Sequence, residues 1–346
     1  MNSSTNPQNK SLKLNIPKNF KTVLILCIVL LGVCVLASLV LGSRLVKWNE
    51  LMDGLFHPNI DTYGANIVRK RISRTVFSLF CGAALGVSGA LMQSVTRNPI
   101  ADPSILGVNT GASLFVVFGI AFLGTTTASQ YIWLALVGAA ITAVFVFGIG
   151  SMGRGGATPI KLVLAGAATS AALSSLVTAI MIPRSYVMDQ FRFWQVGSVG
   201  SGNWGDIGTF APFLIIGMLI AFVTAPALNA MALGDDVATG LGVRTGVLRF
   251  DAALAAVLLC GAATALAGPI GFVGLLSTHV IRLMLGPDLR FVIPMSAIAG
   301  AVILTLSDVL GRLIGSPGEL EVGVVTAFIG APILIILAMK SKVRSL

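Results

Sequence analysis

The feature that most constrains this chain is a series of apolar runs, each about long enough to cross a lipid bilayer. A membrane-spanning helix needs about 20 apolar residues. A backbone inside lipid must satisfy its own hydrogen bonds, so such runs form helices. We therefore predict an all-α membrane protein with ten transmembrane helices. The predicted spans are residues 21–42, 72–95, 104–124, 130–150, 160–182, 207–231, 246–267, 270–285, 291–314 and 322–339.

The composition agrees with a membrane protein. Of the 346 residues, 55% are hydrophobic and 10% are charged, which is too little polar surface for a soluble chain of this length. The net charge of +10 would suit a nucleic-acid-binding protein, but no basic stripe carries interleaved aromatic residues. Most basic residues lie between apolar runs, so we expect membrane lipid as a partner and no nucleic acid.

The distribution of basic residues predicts the orientation. An even number of spans places both termini on one side. With the termini inside, 14 of the 23 Lys and Arg residues fall on cytoplasmic segments and nine fall outside, which favours cytoplasmic termini in the cell membrane. Residues 1–20 are then a cytoplasmic tail, and residues 21–346 form one transmembrane domain. The eighth run, between Gly268-Pro269 and Gly286-Pro287, has the least defined ends.

The sequence lacks the motifs of common membrane and soluble enzymes. It contains no phosphate-binding G-x-x-x-x-G-K-[ST] loop and no G-x-S-x-G nucleophile elbow. His57 and His279 are far apart, so a zinc site of the H-E-x-x-H type is absent. The four cysteines lie inside spans without a C-x-x-C pair. We predict a non-enzymatic protein with no metal site and no cofactor.

Ion-coupled carriers are the second class to consider. Such a carrier should have several ionisable residues within its spans, whereas here only Asp308 qualifies, near the end of a span. Arg312 follows four residues later, so an intrahelical ion pair is expected. A pump built on this chain would need its energy from another polypeptide.

A weak internal repeat is present. Cys81–Gly89 reads CGAALGVSG and Cys260–Gly268 reads CGAATALAG, with identical residues at five of nine positions. The copies fall in the second and seventh predicted spans, which run in opposite directions. Inverted repeats are common in transporters. Chance similarity between two closely packed small-residue helices is the alternative.

The loop after the sixth span contains a segment too short to cross a membrane. Residues 228–243 read LNAMALGDDVATGLGV. Gly234 and Gly242 bracket it, the acids at its start suit a helix N-terminus, and Val237, Ala238 and Leu241 recur at helical spacing. A short helix with an apolar face needs a partner groove. A helix lying on lipid is the alternative.

Several motifs together resemble one family. Arg71–Arg74 reads RISR, and residues 93–107 read QSVTRNPIADPSILG. Residues 228–243 are similar to LN-x-L-x-LGE-x-x-A-x-x-LGV, residues 272–282 to FVGL-x-x-PH-x-x-R, and residues 319–332 to the signature of the last span. From Arg71 onward the chain resembles the permease subunit of FecCD/BtuC-type ABC importers, which take up ferric siderophores, haem and cobalamin. Ser73, Thr278 and Glu321 stand where that family usually has proline.

The resemblance implies an architecture and partners. It implies a BtuC-like ten-helix permease, with spans 2–5 and 7–10 as an inverted pseudo-repeat, that forms half of a permease dimer. Two ATPase subunits would bind inside, and a substrate-binding protein would bind outside. The cargo would be a ferric siderophore, moved by alternating access at the dimer interface. A cobalamin or haem importer of the same fold and an ion-coupled secondary transporter are the alternatives.

The resemblance also implies residue roles. Arg71, Arg74 and Arg312 would receive acidic residues of the binding protein; snorkelling juxtamembrane arginines are the alternative. Gln93, Asn98 and Pro99 would border the pathway at its cytoplasmic gate, where a polar helix-capping turn is the alternative for Asn98. A coupling helix at about residues 233–243 would dock on the ATPase. Its predicted residues are Leu233, Gly234, Asp235, Asp236, Ala238, Leu241 and Gly242.

Overall fold

The computed structural model describes residues 17–153 and 156–340, so nearly all of the predicted tail 1–20 lies outside the described residues. Within the described ranges every regular element is helical. The α-helices are α1 Phe20–Val40, α2 Trp48–Phe56, α3 Tyr63–Thr96, α4 Val108–Phe118, α5 Ala128–Ser151, α6 Pro159–Met181, α7 Ser185–Gln195, α8 Trp204–Met231, α9 Asp235–Gly240, α10 Thr245–Ala267, α11 Val273–Leu285, α12 Leu289–Ile314 and α13 Val322–Lys340.

The long apolar helices lie where the apolar runs predicted spans. Seven of the described helices, α1, α3, α5, α6, α8, α10 and α12, are long and apolar enough to cross a membrane. Three shorter apolar helices, at Val108–Leu123, Val273–Leu285 and Val322–Ile336, occupy the remaining predicted positions. The prediction of an all-α membrane protein is therefore confirmed.

Two predicted spans differ in detail. The second was predicted from residue 72, but α3 begins at Tyr63 because the Thr62 hydroxyl caps it by accepting a bond from the Ala65 amide. The third was predicted as one helix from residue 104. It consists instead of a 3₁₀ turn at Pro103–Leu106, α4, and a π-helical turn at Gly119–Leu123. Gly107, with φ of 73°, separates the first two pieces.

Two short helices were not predicted. Both α2 and α7 are amphipathic and lie between apolar runs. In α7 the buried side chains are Val187 and Phe191, one helical turn apart. In α2, Leu51 is buried whereas Trp48 is 68% exposed. Helices of this length escape a search for 20-residue spans.

Small residues bring α3 into close contact with its neighbours. A Cβ atom on Gly82 would overlap the Gly300 carbonyl of α12, and one on Gly86 would overlap the backbone at Ser296. Such positions allow two helix backbones to approach. The Ser88 hydroxyl donates to Ala256 O of α10 at 2.7 Å. The two copies of the weak repeat therefore lie on adjacent helices, α3 and α10.

The helices α3 and α10 run antiparallel, which defines two ends of the molecule. Arg97, directly after the last residue of α3, and Arg249, near the start of α10, both bind Asp235 of α9. We call this the α9 end. The start of α1 also lies there, since Phe20 packs against Phe291 with ring centroids 5.1 Å apart. The opposite end carries α2 and α7.

Candidate functional site

The short segment after α8 forms a helix between two glycines, as the sequence predicted. α9 extends from Asp235 to Gly240, within the predicted range 233–243. Gly234 has φ of 120° and Gly242 has φ of 82°. A side chain is disfavoured at both values, so the two glycines set the turns into and out of α9.

The side chains of α9 point in two directions. Ala238 is completely buried. Leu233, Val237 and Leu241, by contrast, are 68%, 49% and 65% exposed. The apolar residues therefore do not form the single face that the spacing indicated: Ala238 packs on the bundle, and three large apolar side chains project away from it. They form what we call the α9 apolar surface, Leu233, Val237 and Leu241.

Asp235 holds α9 against the bundle. Its two carboxylate oxygens accept hydrogen bonds from Arg249 Nη2 at 2.8 and 2.7 Å, and one of them also accepts from Arg97 Nη2. Arg249 donates in addition to Ala157 O, before α6, at 3.0 Å, and Arg97 to Met231 O, at the end of α8, at 2.6 Å. The Asp235 cluster, defined as Asp235, Arg97 and Arg249, thus joins α9 to four neighbouring segments.

The charge on Asp235 is stable near neutral pH. Burial alone would raise its pKa, but the hydrogen bonds and charges of Arg249 and Arg97 outweigh burial and hold the pKa below its ordinary value. Its contribution is therefore present above the ordinary aspartate pKa and is lost only as the pH falls through the lowered folded-state value. The neighbouring Asp236 is exposed, and no ion pair joins it to the described residues.

The predicted gate residues lie at the same end. Gln93 is 2% exposed and lines, with Pro99, a cavity of about 210 Å³ between the ends of α3, α8 and α11 and the start of α12. Asn98 accepts a bond from the Ile100 amide at 3.1 Å in a local turn, but the next helical element, at Pro103–Leu106, is capped by Asp102 and not by Asn98. Sequence analysis missed the role of Arg282 as a further cavity-lining residue.

The three predicted docking arginines meet at the opposite end and are engaged within the protein. Arg71 donates to Leu39 O, Val40 O and Arg44 O. Arg312 donates to Ser38 O and Leu41 O, both at 3.0 Å. The two guanidinium groups therefore fasten the last turn of α1 and the segment that follows it.

Asp308 joins these arginines across helices. Arg312 Nη2 lies 2.9 Å from Asp308 Oδ2, the intrahelical pair that the spacing predicted. Arg74, on α3, lies 2.7 Å from Asp308 Oδ1 and also 2.7 Å from Glu319. Asp308 is 3% exposed and Arg312 is 2% exposed, so the Asp308 cluster, Asp308 with Arg74 and Arg312, is a buried ion network.

A second polar cavity opens beside this network. Its volume is about 280 Å³, and it is lined by basic residues with Glu319 as the acid among them. Arg71, Arg74 and Arg312 form part of its wall. Arg44 and Lys70, which were not predicted to contribute, are its exposed cations. The cavity therefore presents positive charge at the end opposite to α9.

The fold and its two polar ends define a multi-pass membrane permease. Residues 29–340 match the model of the FecCD transport family. The chain is 38% identical over 321 residues to the probable siderophore transport system permease protein YfiZ of Bacillus subtilis, covering 92% of this chain and 96% of that protein. It is 39% identical over 314 residues to the ferric enterobactin transport system permease protein FepD of Escherichia coli, covering 90% and 93% respectively.

A solved structure agrees with these relatives. An inward-facing metal-chelate type ABC transporter superposes with a TM-score of 0.80 and 25% identity, covering 93% of this chain and 99% of that chain. The chain belongs to the FecCD transport family, as the sequence motifs indicated.

The Asp308 cluster yields a prediction about stability. Asp308→Asn would leave the buried Arg312 without a carboxylate partner, and breaking a buried ion pair costs about 3–5 kcal/mol. We expect a clearly lower melting temperature of the purified protein. Glu319→Gln is the matched control: the Glu319 side chain is 41% exposed, so its loss should cost less than about 1 kcal/mol. Equal melting temperatures for the two variants would contradict the assigned role of Asp308.

Proposed function

We propose that this chain is one half of a permease dimer in an ATP-driven importer of ferric siderophores. Ten helices cross the cytoplasmic membrane, with the three shorter apolar helices completing the seven long ones, and the α9 end faces the cytoplasm. The chain from residue 21 acts as one transmembrane domain with a cytoplasmic N-terminal tail. The observation that carries the proposal is the exposed α9 apolar surface, mounted on the ion-paired Asp235 cluster.

The α9 apolar surface supports docking of a separate ATPase subunit. Three large apolar side chains, one on α9 and one on each side of it, favour a partner groove over water. The family and the transporter superposed above support an ATPase as that partner. Leu233, Val237 and Leu241 would enter the groove, Gly234 and Gly242 would fix the angle of α9, and Asp236 would remain at its edge.

The Asp235 cluster supports a mechanical link between the ATPase docked at α9 and the ends of α3 and α10. A movement of α9 would displace the Asp235 carboxylate, and with it Arg97 at the end of α3 and Arg249 on α10. Because Arg97 follows Gln93 by one helical turn on the same chain segment, a shift there would alter the proposed gate at Gln93, Asn98 and Pro99. Docking and transmission would thus use different residues of one helix.

Removal of two residues of the α9 apolar surface should strongly weaken docking. Burying one leucine is worth about 1.5–3 kcal/mol, so Leu233→Ser with Leu241→Ser should weaken ATPase association by at least about a hundredfold. Co-purification and the affinity of the ATPase subunit measure this effect. Leu45→Ser, at a residue that is 66% exposed at the opposite end, is the control. Unchanged co-purification of the double variant would rule out this docking surface.

Substitution of Asp235 should separate hydrolysis from transport. Asp235→Asn keeps the α9 apolar surface but weakens the bonds from Arg249 and Arg97, so the ATPase should still bind while less cargo enters per ATP hydrolysed. Asp236→Asn removes the same charge one residue away and should behave as wild type. The measurement is the ratio of cargo uptake to ATP hydrolysis in reconstituted vesicles, compared among the wild type and the two variants. An unchanged ratio in Asp235→Asn would exclude transmission through this cluster.

We propose that the basic cavity at the opposite end receives acidic side chains of a substrate-binding protein. Arg71, Arg74 and Arg312 would form its wall, and the exposed Lys70 and Arg44 would meet the incoming charge first. Complementary charge at such a surface mainly raises the association rate. The basic lining of the cavity and its place opposite to α9 support this assignment.

Reversal of one exposed charge tests the docking proposal. Lys70→Glu should slow binding-protein association at low ionic strength, and the deficit should shrink as salt screens charges over about 8 Å. Arg192→Glu is the control, since the Arg192 side chain is 62% exposed on α7 and lies outside the cavity. Equal association rates for both variants at low salt would show that the cavity does not receive the binding protein.

The cargo should cross as an intact chelate. The described residues contain no group of three or more His, Cys, Asp or Glu side chains that could hold a metal ion. Stripping iron from its ligand would require such a group. We expect iron and chelator, labelled separately, to enter vesicles in equal amounts when ATP is present, and neither to enter with a non-hydrolysable analogue. Iron that enters without its chelator would contradict the proposal.

A further inference from the structure

The cavity at the α9 end lies where several helices end and is open at a rim of exposed residues. It occupies about 210 Å³. Gln93 and Leu228 are buried and form its floor, whereas Pro99 and Pro287 are exposed and mark its rim. α3, α8 and α11 all end around it, and α12 begins there. The cavity thus lies at the boundary between the apolar helices and the loops.

Gln93 brings an unsatisfied amide into this cavity. The residue is 2% exposed, and among the described residues neither Oε1 nor Nε2 has a hydrogen-bond partner. Buried polar side chains almost always have partners, so the unpaired amide of Gln93 is available to a ligand in the cavity. A ligand that satisfies Gln93 must present both an acceptor and a donor.

Arg282 brings an unbalanced positive charge to the same cavity. It is half-buried on α11, and its Nε is buried without a hydrogen-bond partner in residues 17–153 and 156–340. Its one described bond is a long one, from Nη2 to Ser94 Oγ at 3.4 Å. No carboxylate of the described residues lies within ion-pair distance of it. A half-buried guanidinium in this state favours an anionic ligand.

The acids near the cavity are already engaged. Asp235 is shared between Arg97, which lines the rim, and Arg249. Asp288, next to Pro287 in the chain, accepts bonds from Arg290 and from Asn229 Nδ2. Their charges are matched by those arginines, so the positive charge of Arg282 remains for an external ligand.

We propose that this cavity binds the phosphate group of an anionic phospholipid headgroup that also carries a hydroxyl, as phosphatidylglycerol does. Phosphate oxygens would accept bonds from Arg282 and from Gln93 Nε2, and the headgroup hydroxyl would donate to Gln93 Oε1. Basic pockets between membrane helices at headgroup level bind such lipids. Free inorganic phosphate shares this chemistry, and the experiment separates the two sources. The proposal holds whichever cargo the transporter carries.

The test titrates ligands into the full-length chain purified with its partner subunits in detergent. Melting temperature and native mass spectrometry would follow binding of short-chain phosphatidylglycerol, short-chain phosphatidylcholine and inorganic phosphate. Phosphatidylglycerol should stabilise the wild type most. Arg282→Gln should lower its affinity about tenfold, the equivalent of one charge-assisted hydrogen bond, and Arg282→Lys should lower it less.

Two further variants test the role of the Gln93 amide and control for general surface charge. Gln93→Leu removes the unsatisfied amide, so it should be at least as stable as wild type without lipid but should lose most of the stabilisation by phosphatidylglycerol. Arg244→Gln removes one exposed positive charge from the α9 end outside the cavity and should bind phosphatidylglycerol as wild type does.

The possible results distinguish a lipid headgroup from inorganic phosphate, and both from binding by general surface charge. Equal losses in Arg244→Gln and Arg282→Gln would attribute binding to general surface charge and would overturn the proposal. Equal stabilisation by both lipids, or no response to any ligand, would also overturn it. A response to inorganic phosphate alone that disappears in Arg282→Gln would retain the oxyanion site but refute the lipid as its occupant.

Discussion

The structure depends on pairing charges within an apolar bundle of helices. Removing a charge from water is costly unless an opposite charge or hydrogen bonds compensate for it. At one end, Asp308 meets Arg74 from α3 and Arg312 from its own helix. At the other end, Asp235 meets Arg97 and Arg249. Each network fixes the ends of helices whose middles are joined by small-residue packing and by hydrogen bonds such as that from Ser88 to Ala256 O.

At each end of the bundle, some residues of a short segment bind the rest of the protein and their neighbours remain exposed. Asp235 fastens α9 to the bundle, whereas Leu233 and Leu241, which flank α9, remain exposed. At the opposite end the buried Arg71 and Arg312 hold the last turn of α1, whereas Lys70 stays at the surface. At each end an ion-paired or hydrogen-bonded base thus carries an exposed surface, as the proposed docking of partner proteins requires.

The sequence predicted the parts of the fold that depend on local pattern. Apolar run length located the long helices, glycines with two acids located α9, and four-residue spacing predicted the Asp308–Arg312 pair. It did not predict the amphipathic α2 and α7, because both helices are shorter than the apolar runs from which spans were predicted.

Contacts between residues that are distant in the sequence could not be predicted from the sequence either. Arg74 and Asp308 are 234 positions apart, and Arg97 and Asp235 are 138 apart. No local pattern distinguishes an arginine that binds carbonyls inside the protein from one that faces solvent. For that reason the sequence alone did not show that Arg71 and Arg312, to which the resemblance gave a docking role, are both largely buried.

The central claim is that transport draws its energy from a partner ATPase through α9 and not from an ion gradient. The most direct measurement is ferric-siderophore uptake into vesicles containing the purified permease, ATPase and binding protein, with ionophores present to abolish all gradients. The account predicts uptake that requires ATP hydrolysis and is unaffected by the ionophores. Uptake that persists without ATP and follows an imposed proton or sodium gradient would contradict it.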